Sequence, residues 1–103
     1  MDQLVATAIN KQIDSYLREK ATVTLWSLYA TNRVRDLVPL LDDITPIVYE
    51  RQLLGPPWRI CDRATATISI LLGWETPMQP SFMSPKAREQ LMTRVREWAS
   101  QNR

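Results

Sequence analysis

RDLVPLLDD at 35–43 and PPWRICDRATATISILLG at 56–73 decide the fold of this chain. The first reads as a short helix over Val34–Asp42 with the apolar set Val34, Leu37, Val38, Leu40 and Leu41. Pro39 lies inside it, removes one backbone donor and predicts a kink. The second stretch reads as a helix opening near Pro57, a residue suited to the first helical turn. Its main stripe is Ile60, Cys61, Ala64, Ile68, Leu71 and Leu72. The opposite side carries Thr65, Ala66, Thr67, Ser69 and Ile70, all small or apolar. A helix with no wholly polar face must be packed between neighbours. Gly73 is placed to terminate it through a left-handed residue. Between the two helices, Thr45-Pro46 marks a break, and Val48, Tyr49, Leu53 and Leu54 are expected to pack over the core from a loop.

The neighbours lie on either side. Ser84-Pro85 predicts an N-cap followed by proline at the first helical position. The helix it opens presents Leu91, Met92, Val95, Trp98 and Ala99 on one face, with Lys86, Glu89, Arg96 and Glu97 toward water. Upstream, Leu4, Val5, Ala8, Ile9, Ile13, Tyr16 and Leu17 recur at helical spacing and predict one helix over 3–18. Lys11, Asp14, Ser15 and Arg18 fall off that stripe. A second helix is expected over 21–31 on Ala21, Leu25, Trp26, Leu28 and Tyr29, although Thr22, Val23 and Thr24 are β-branched. Asn32, which tolerates the left-handed conformation, is expected to close it. The chain has two glycines and seven prolines, which suits helices joined by stiff connections better than β-hairpins.

Composition bounds the function. With 103 residues, 45% hydrophobic and 23% charged, the chain is sized for one ordinary globular domain. A net charge of +2 does not by itself imply nucleic acid or a membrane surface. The N-terminus has no apolar run of signal-peptide length, and no segment reaches the length of a transmembrane helix. One cysteine, Cys61, excludes an internal disulfide and favours a reducing, cytoplasmic setting.

Residues 33–73 resemble a HEAT-type repeat of the bacterial kind. The first helix of such repeats ends in a leucine-rich run closed by Asp-Asp, here LVPLLDD. The second begins Arg-aliphatic-Cys-Asp and runs through small residues to Leu-Gly, here RICDRATATISILLG. ATVTLWSLYATNRVRDLVPLLDD is similar to one repeat running into the next, and AREQLMTRVREWASQNR resembles the closing helix of these proteins. The resemblance covers residues 21–103. It departs from the family pattern in its long linker and in Thr and Ser where the second helix usually has alanine. It implies helical pairs stacked into a binding surface.

Few residues are candidates for chemistry. The chain has no histidine, which removes His-based triads and the commonest zinc ligand. Cys61 reads as a buried structural thiol, and Asp42-Asp43 as a polar helix end and turn rather than a divalent-metal site. Arg59, Asp62 and Arg63 read as local pairs at a helix start. The sharper reading is that they bridge to the neighbouring helical pair. Arg33, Arg35, Arg51, Arg59 and Arg63, with Tyr49 and Trp58 among them, suit a protein hot spot or a nucleic-acid backbone with stacked bases. Acidic residues at 36, 42, 43, 50 and 62 interrupt that field. Of the four tryptophans, Trp26 and Trp98 read as core, whereas Trp58 and Trp74 flank the long helix as candidates for partial exposure.

The expectation is therefore one all-α domain over 1–103 of about five helices stacked as antiparallel pairs, a HEAT-like mini-solenoid. Residues 1–32 form a first pair, 33–73 the repeat and 84–103 the closing helix. The expected function is a non-catalytic protein-interaction module or small adaptor, with no cofactor and no metal. Its contact residues are Tyr49, Arg51, Trp58 and Arg59, and its partner is another protein. Competing readings are nucleic-acid binding, self-association into a homo-oligomer, and a small enzyme or lyase subunit, since some HEAT-like proteins handle tetrapyrroles. The absence of histidine argues against the last.

Overall fold

The computed structural model describes residues 2–47, 58–74 and 84–101. These form four α-helices and one 3-10 segment: α1 (Asp2–Ile9), α2 (Ser15–Ser27), η1 (Thr31–Asp42), α3 (Ile60–Leu71) and α4 (Pro85–Gln101). Among the described residues there is no strand, only an isolated antiparallel bridge between Pro46 and Arg59.

The helix expected over 3–18 is two helices. Asn10 Oδ1 accepts the Gln12 N–H at 3.0 Å, and the Ile13 N–H reaches the Asn10 carbonyl at 3.1 Å. This local turn competes with helix propagation. Asp14 then caps α2 by accepting the Tyr16 N–H at 2.8 Å. The break reverses the chain, so α1 lies along α2 with Ala8 near Arg18 and Asp2 paired with Arg33 beyond the far end of α2. It also overturns four placements: Ile9 and Leu17 face out, whereas Ser15 and Arg18, expected off the buried stripe, are buried, Arg18 at 1% exposure.

Residues Leu28–Ala30, not Asn32, close α2. The Ala30 N–H bonds to the Leu25 carbonyl at 3.1 Å and the Tyr29 N–H to the Trp26 carbonyl at 2.9 Å. This is a Schellman closure. Its left-handed residue is Tyr29, with φ 50°. A side chain in that region costs about 1–2 kcal/mol, and Tyr29 is 79% exposed, so it returns little packing. Tyr29→Gly is expected to stabilise the fold by about 0.5–1 kcal/mol after the entropy of the added glycine is counted. Thermal unfolding should show the midpoint rising by a few degrees.

The helix expected over Val34–Asp42 starts earlier, at Thr31, and is not a kinked α-helix around Pro39. The whole of Thr31–Asp42 is wound as 3-10, whose three-residue turn aligns every third side chain. Val34, Leu37 and Leu40 are buried at that spacing, and Asp43 continues it.

The long helix has no polar face in the structure either: ten of the twelve residues of α3 are buried. It packs against α2, η1 and α4. Two of its hydroxyls bond within the helix, Thr65 to the Cys61 carbonyl at 2.7 Å and Ser69 to the Ala66 carbonyl at 2.8 Å, so neighbours meet short, bonded side chains there. At its end the Trp74 N–H reaches the Ser69 carbonyl at 2.9 Å and the Gly73 N–H reaches Ile70 at 3.0 Å. Gly73, at φ 81°, supplies the expected left-handed residue. Ser84 caps α4 through the Ala87 N–H at 3.1 Å. Leu91, Met92 and Val95 are buried as their spacing requires, with Trp98 and Ala99 partly buried against the core.

Candidate functional site

The residues singled out in the sequence converge on the start of α3. Segments 43–47 and 58–61 run antiparallel as a short neck. The Cys61 N–H reaches the Asp43 carbonyl at 2.8 Å, Ile60 reaches Thr45 at 2.9 Å, and Ile47 reaches Trp58 at 2.8 Å. Ile47 and Trp58, which flank residues 48–57, are thus bonded to each other and buried.

Trp58 is 3% exposed and belongs to the core. It is not the half-open aromatic expected at a binding surface. The guanidinium carbon of Arg63 lies 4.8 Å from its ring centroid and that of Arg88 5.9 Å, both within cation–π range. Trp74 is partly exposed and carries Arg94 over its ring at 4.6 Å. Arg59 is partly exposed at the neck. Tyr49 and Arg51, the other two expected contact residues, lie outside the described residues.

Asp62 joins both expectations for the charged cluster. Its carboxylate accepts the Arg59 backbone N–H at 3.0 Å and both arms of the Arg59 guanidinium at 3.1 Å. That is a charge at a helix N-terminus satisfying an open donor there. The paired carboxylate pushes the Arg59 guanidinium pKa upward. Asp62 also lies 3.8 Å from Arg88 on α4, and Arg63 reaches Glu19 on α2 at 3.2 Å. The start of α3 is therefore tied by ion pairs to the helices on both sides. A small pocket of about 10 Å³ opens among Trp58, Asp62, Thr65, Arg88 and Leu91, the space of one water.

A second cluster holds the other strand of the neck. Asp43, buried, accepts Arg18 Nη2 at 2.5 Å, the Thr45 hydroxyl at 2.5 Å and the Thr45 N–H at 3.0 Å. Burial pushes its carboxyl up, but the bonds from Thr45 and Arg18 overcome this and lower its pKa to about 2. Arg18 Nε donates to the Ala8 carbonyl at the end of α1 at 3.0 Å. Arg96, expected to face water, reaches the Leu41 carbonyl at 2.8 Å and Asp42 at 3.0 Å, closing the end of η1.

The charged side chains of the two clusters brace the neck against α1, α2 and α4. Cys61 is buried, and burial followed by the charge of Asp62 pushes its thiol pKa up. A protonated, enclosed thiol is a poor nucleophile. Among the described residues no group of His, Cys, Asp and Glu side chains is arranged to hold a metal. No described helix is long and apolar enough to cross a membrane.

Ile44 was not singled out from the sequence. It is 70% exposed, between Asp43 and Thr45 on the outer side of the neck. Arg88 was missed too, although it lies three, four and seven residues before Leu91, Met92 and Val95, on their side of α4. No protein-family model, curated protein or solved structure matches the chain.

Proposed function

We propose that this chain is a non-catalytic protein-interaction module, a small adaptor of the bacterial HEAT-like kind acting in the cytoplasm. Its partner surface is the outer side of the neck. The observation that carries this reading is Ile44, a large β-branched side chain left 70% exposed on a segment held rigidly from behind. Behind it lie three inter-segment backbone bonds and the Asp43 carboxylate. An apolar residue on one side of the neck and the partly exposed Arg59 on the other give the mixed character typical of interface anchors, at low ordering cost. Tyr49 and Arg51, outside the described residues, complete the proposed contact set. The helical pairs support the reading as a scaffold: α3 is enclosed by α2, η1 and α4, which leaves the turns and outer faces for recognition.

Nucleic acid is the less favoured partner. Arg33, Arg59 and Arg63 each already pair with a carboxylate, on Asp36, Asp62 and Glu19 respectively. A phosphate backbone would have to displace those pairs before releasing counterions of its own.

Affinity capture from the source cell, compared across wild type, Ile44→Asp and Arg59→Ala, tests the surface. Proteins retained by the wild type should be lost with Ile44→Asp and reduced with Arg59→Ala, while the thermal midpoint of Ile44→Asp stays within a degree or two. The same proteins captured in equal amounts by all three would reject the neck as the binding surface.

A further inference from the structure

The apolar residues Ile9, Ile13, Tyr16 and Leu17 fall on one face if the chain from 2 to 27 is a single helix. In the structure that face is broken by the Asn10–Asp14 turn. Its members are stranded there: Ile9 is 43% exposed and Leu17 52% exposed, with Ile13 and Tyr16 half-buried. The turn contains neither glycine nor proline. Its side-chain bonds are Asn10 accepting from Gln12 and Asp14 accepting from Tyr16, beside the backbone bond from Ile13 to the Asn10 carbonyl.

The helix that the turn folds back is lightly held. α1 has eight residues, of which Ala8 alone is fully buried. It touches α2 and η1 through partly buried Leu4 and Val5, the Arg18 bond to the Ala8 carbonyl, and the Asp2–Arg33 pair. Each of these contacts is open to α1 of another copy of the chain, with the Ala8 carbonyl then shared between Arg18 and the Gln12 N–H of the continued helix.

We infer that α1 is an exchangeable strap: Asn10–Asp14 straightens into helix, and α1 of one copy fills the α2–η1 groove of a second, giving a reciprocal dimer. The occupant is a second copy because the contacts that receive α1 are the ones already made in cis. The continuous helices then bring the Ile9, Ile13 and Leu17 stripes of the two copies together near the two-fold axis. That burial favours the exchanged form, and the high effective concentration of a tethered α1 favours the closed monomer. The exchange is independent of the neck surface proposed above.

Asn10→Ala with Asp14→Ala removes both side chains that hold the turn and adds a good helix former at each position. Light scattering should show the wild type as a monomer at micromolar concentration, with a dimer emerging toward ~1 mM. The double variant should have a dimer dissociation constant at least about tenfold lower. Asp2→Cys with Arg33→Cys supplies the second measurement in the otherwise wild-type chain. Treated with a bifunctional thiol crosslinker after equilibration at high concentration, it should give a covalent dimer on a denaturing gel. A double variant that remains monomeric throughout, or crosslinks that form only within each chain, would overturn the exchange. If the double variant fails to fold, the cysteine pair decides alone: intrachain crosslinks at every concentration contradict the proposal.

Discussion

Asp43→Ala is expected to remove about 3–5 kcal/mol of folding stability, a large share of the 5–15 kcal/mol of an ordinary domain. Arg18 is the reason. Its guanidinium is among the most enclosed groups in the molecule, at 1% exposure. Its charge is answered by Asp43, with the Ala8 carbonyl as a further acceptor. Without the carboxylate it is a buried cation left, among the described residues, with the Ala8 carbonyl. The same substitution frees the Thr45 N–H and hydroxyl at the base of the neck. Urea unfolding should show the loss as a lowered midpoint. Arg18→Met is expected to cost less, because Asp43 keeps its bonds to Thr45 and methionine retains part of the arginine stem's packing.

The sign of the pH dependence follows from the lowered pKa of Asp43. A carboxyl at about 2 in the fold, against 3.8 for the free group, contributes stability that is fully present above about pH 4. That contribution is lost as pH falls toward 2. It amounts to about 2 kcal/mol, and it should be absent from the acid unfolding curve of Asp43→Asn, whose stability should change less between pH 4 and 2. Curves of equal slope for wild type and variant would contradict the buried pair.

Trp58→Ala is expected to be comparably severe, at about 3–5 kcal/mol. The indole is almost wholly buried and carries Arg63 and Arg88 over its ring. Removing it opens a cavity between the neck, α3 and α4 and leaves two arginines without their aromatic surface. The Trp58 carbonyl also receives the Ile47 N–H, so the damage should appear locally. Hydrogen exchange at Ile47 and Ile60 should accelerate beyond what the global loss of stability explains. Trp58→Phe should retain more than half of the lost stability, since a ring remains under both cations. An alanine variant within 1 kcal/mol of wild type would place Trp58 at the surface, contrary to the structure.

These two residues also show what the sequence could convey. Apolar spacing carried the stripe of α3, and end signals its Gly73 closure and the Ser84-Pro85 start of α4, because each depends on local chemistry or on one helical period. The start expected near Pro57 failed, because the pairing of 58–61 with 43–47 keeps Trp58 and Arg59 extended and α3 begins at Ile60. Arg18 and Asp43 could not be found that way. Their burial depends on a partner 25 residues distant, and a charged residue in isolation reads as solvated. The single helix over 3–18 failed for a different reason. Its period is genuinely helical, and the turn that interrupts it rests on Asn10 and Asp14, residues that also occur within helices. Pro39 was visible, but the triplet spacing of Val34, Leu37 and Leu40 fits α and 3-10 winding alike. Trp58 was placed beside prolines at a helix start, which says nothing of whether the ring turns inward. The site is less legible than the fold: Arg59 and Asp62 stand in RICD, whereas Ile44 is exposed by the antiparallel neck, a tertiary feature.

The central claim is that the neck is a protein-binding surface anchored by Ile44. It is tested most directly by the affinity of a captured partner for wild type and for Ile44→Asp, measured by titration calorimetry at matched folding stability. The account predicts a loss of at least about tenfold in affinity with an unchanged thermal midpoint. Equal affinity for the two proteins would contradict it.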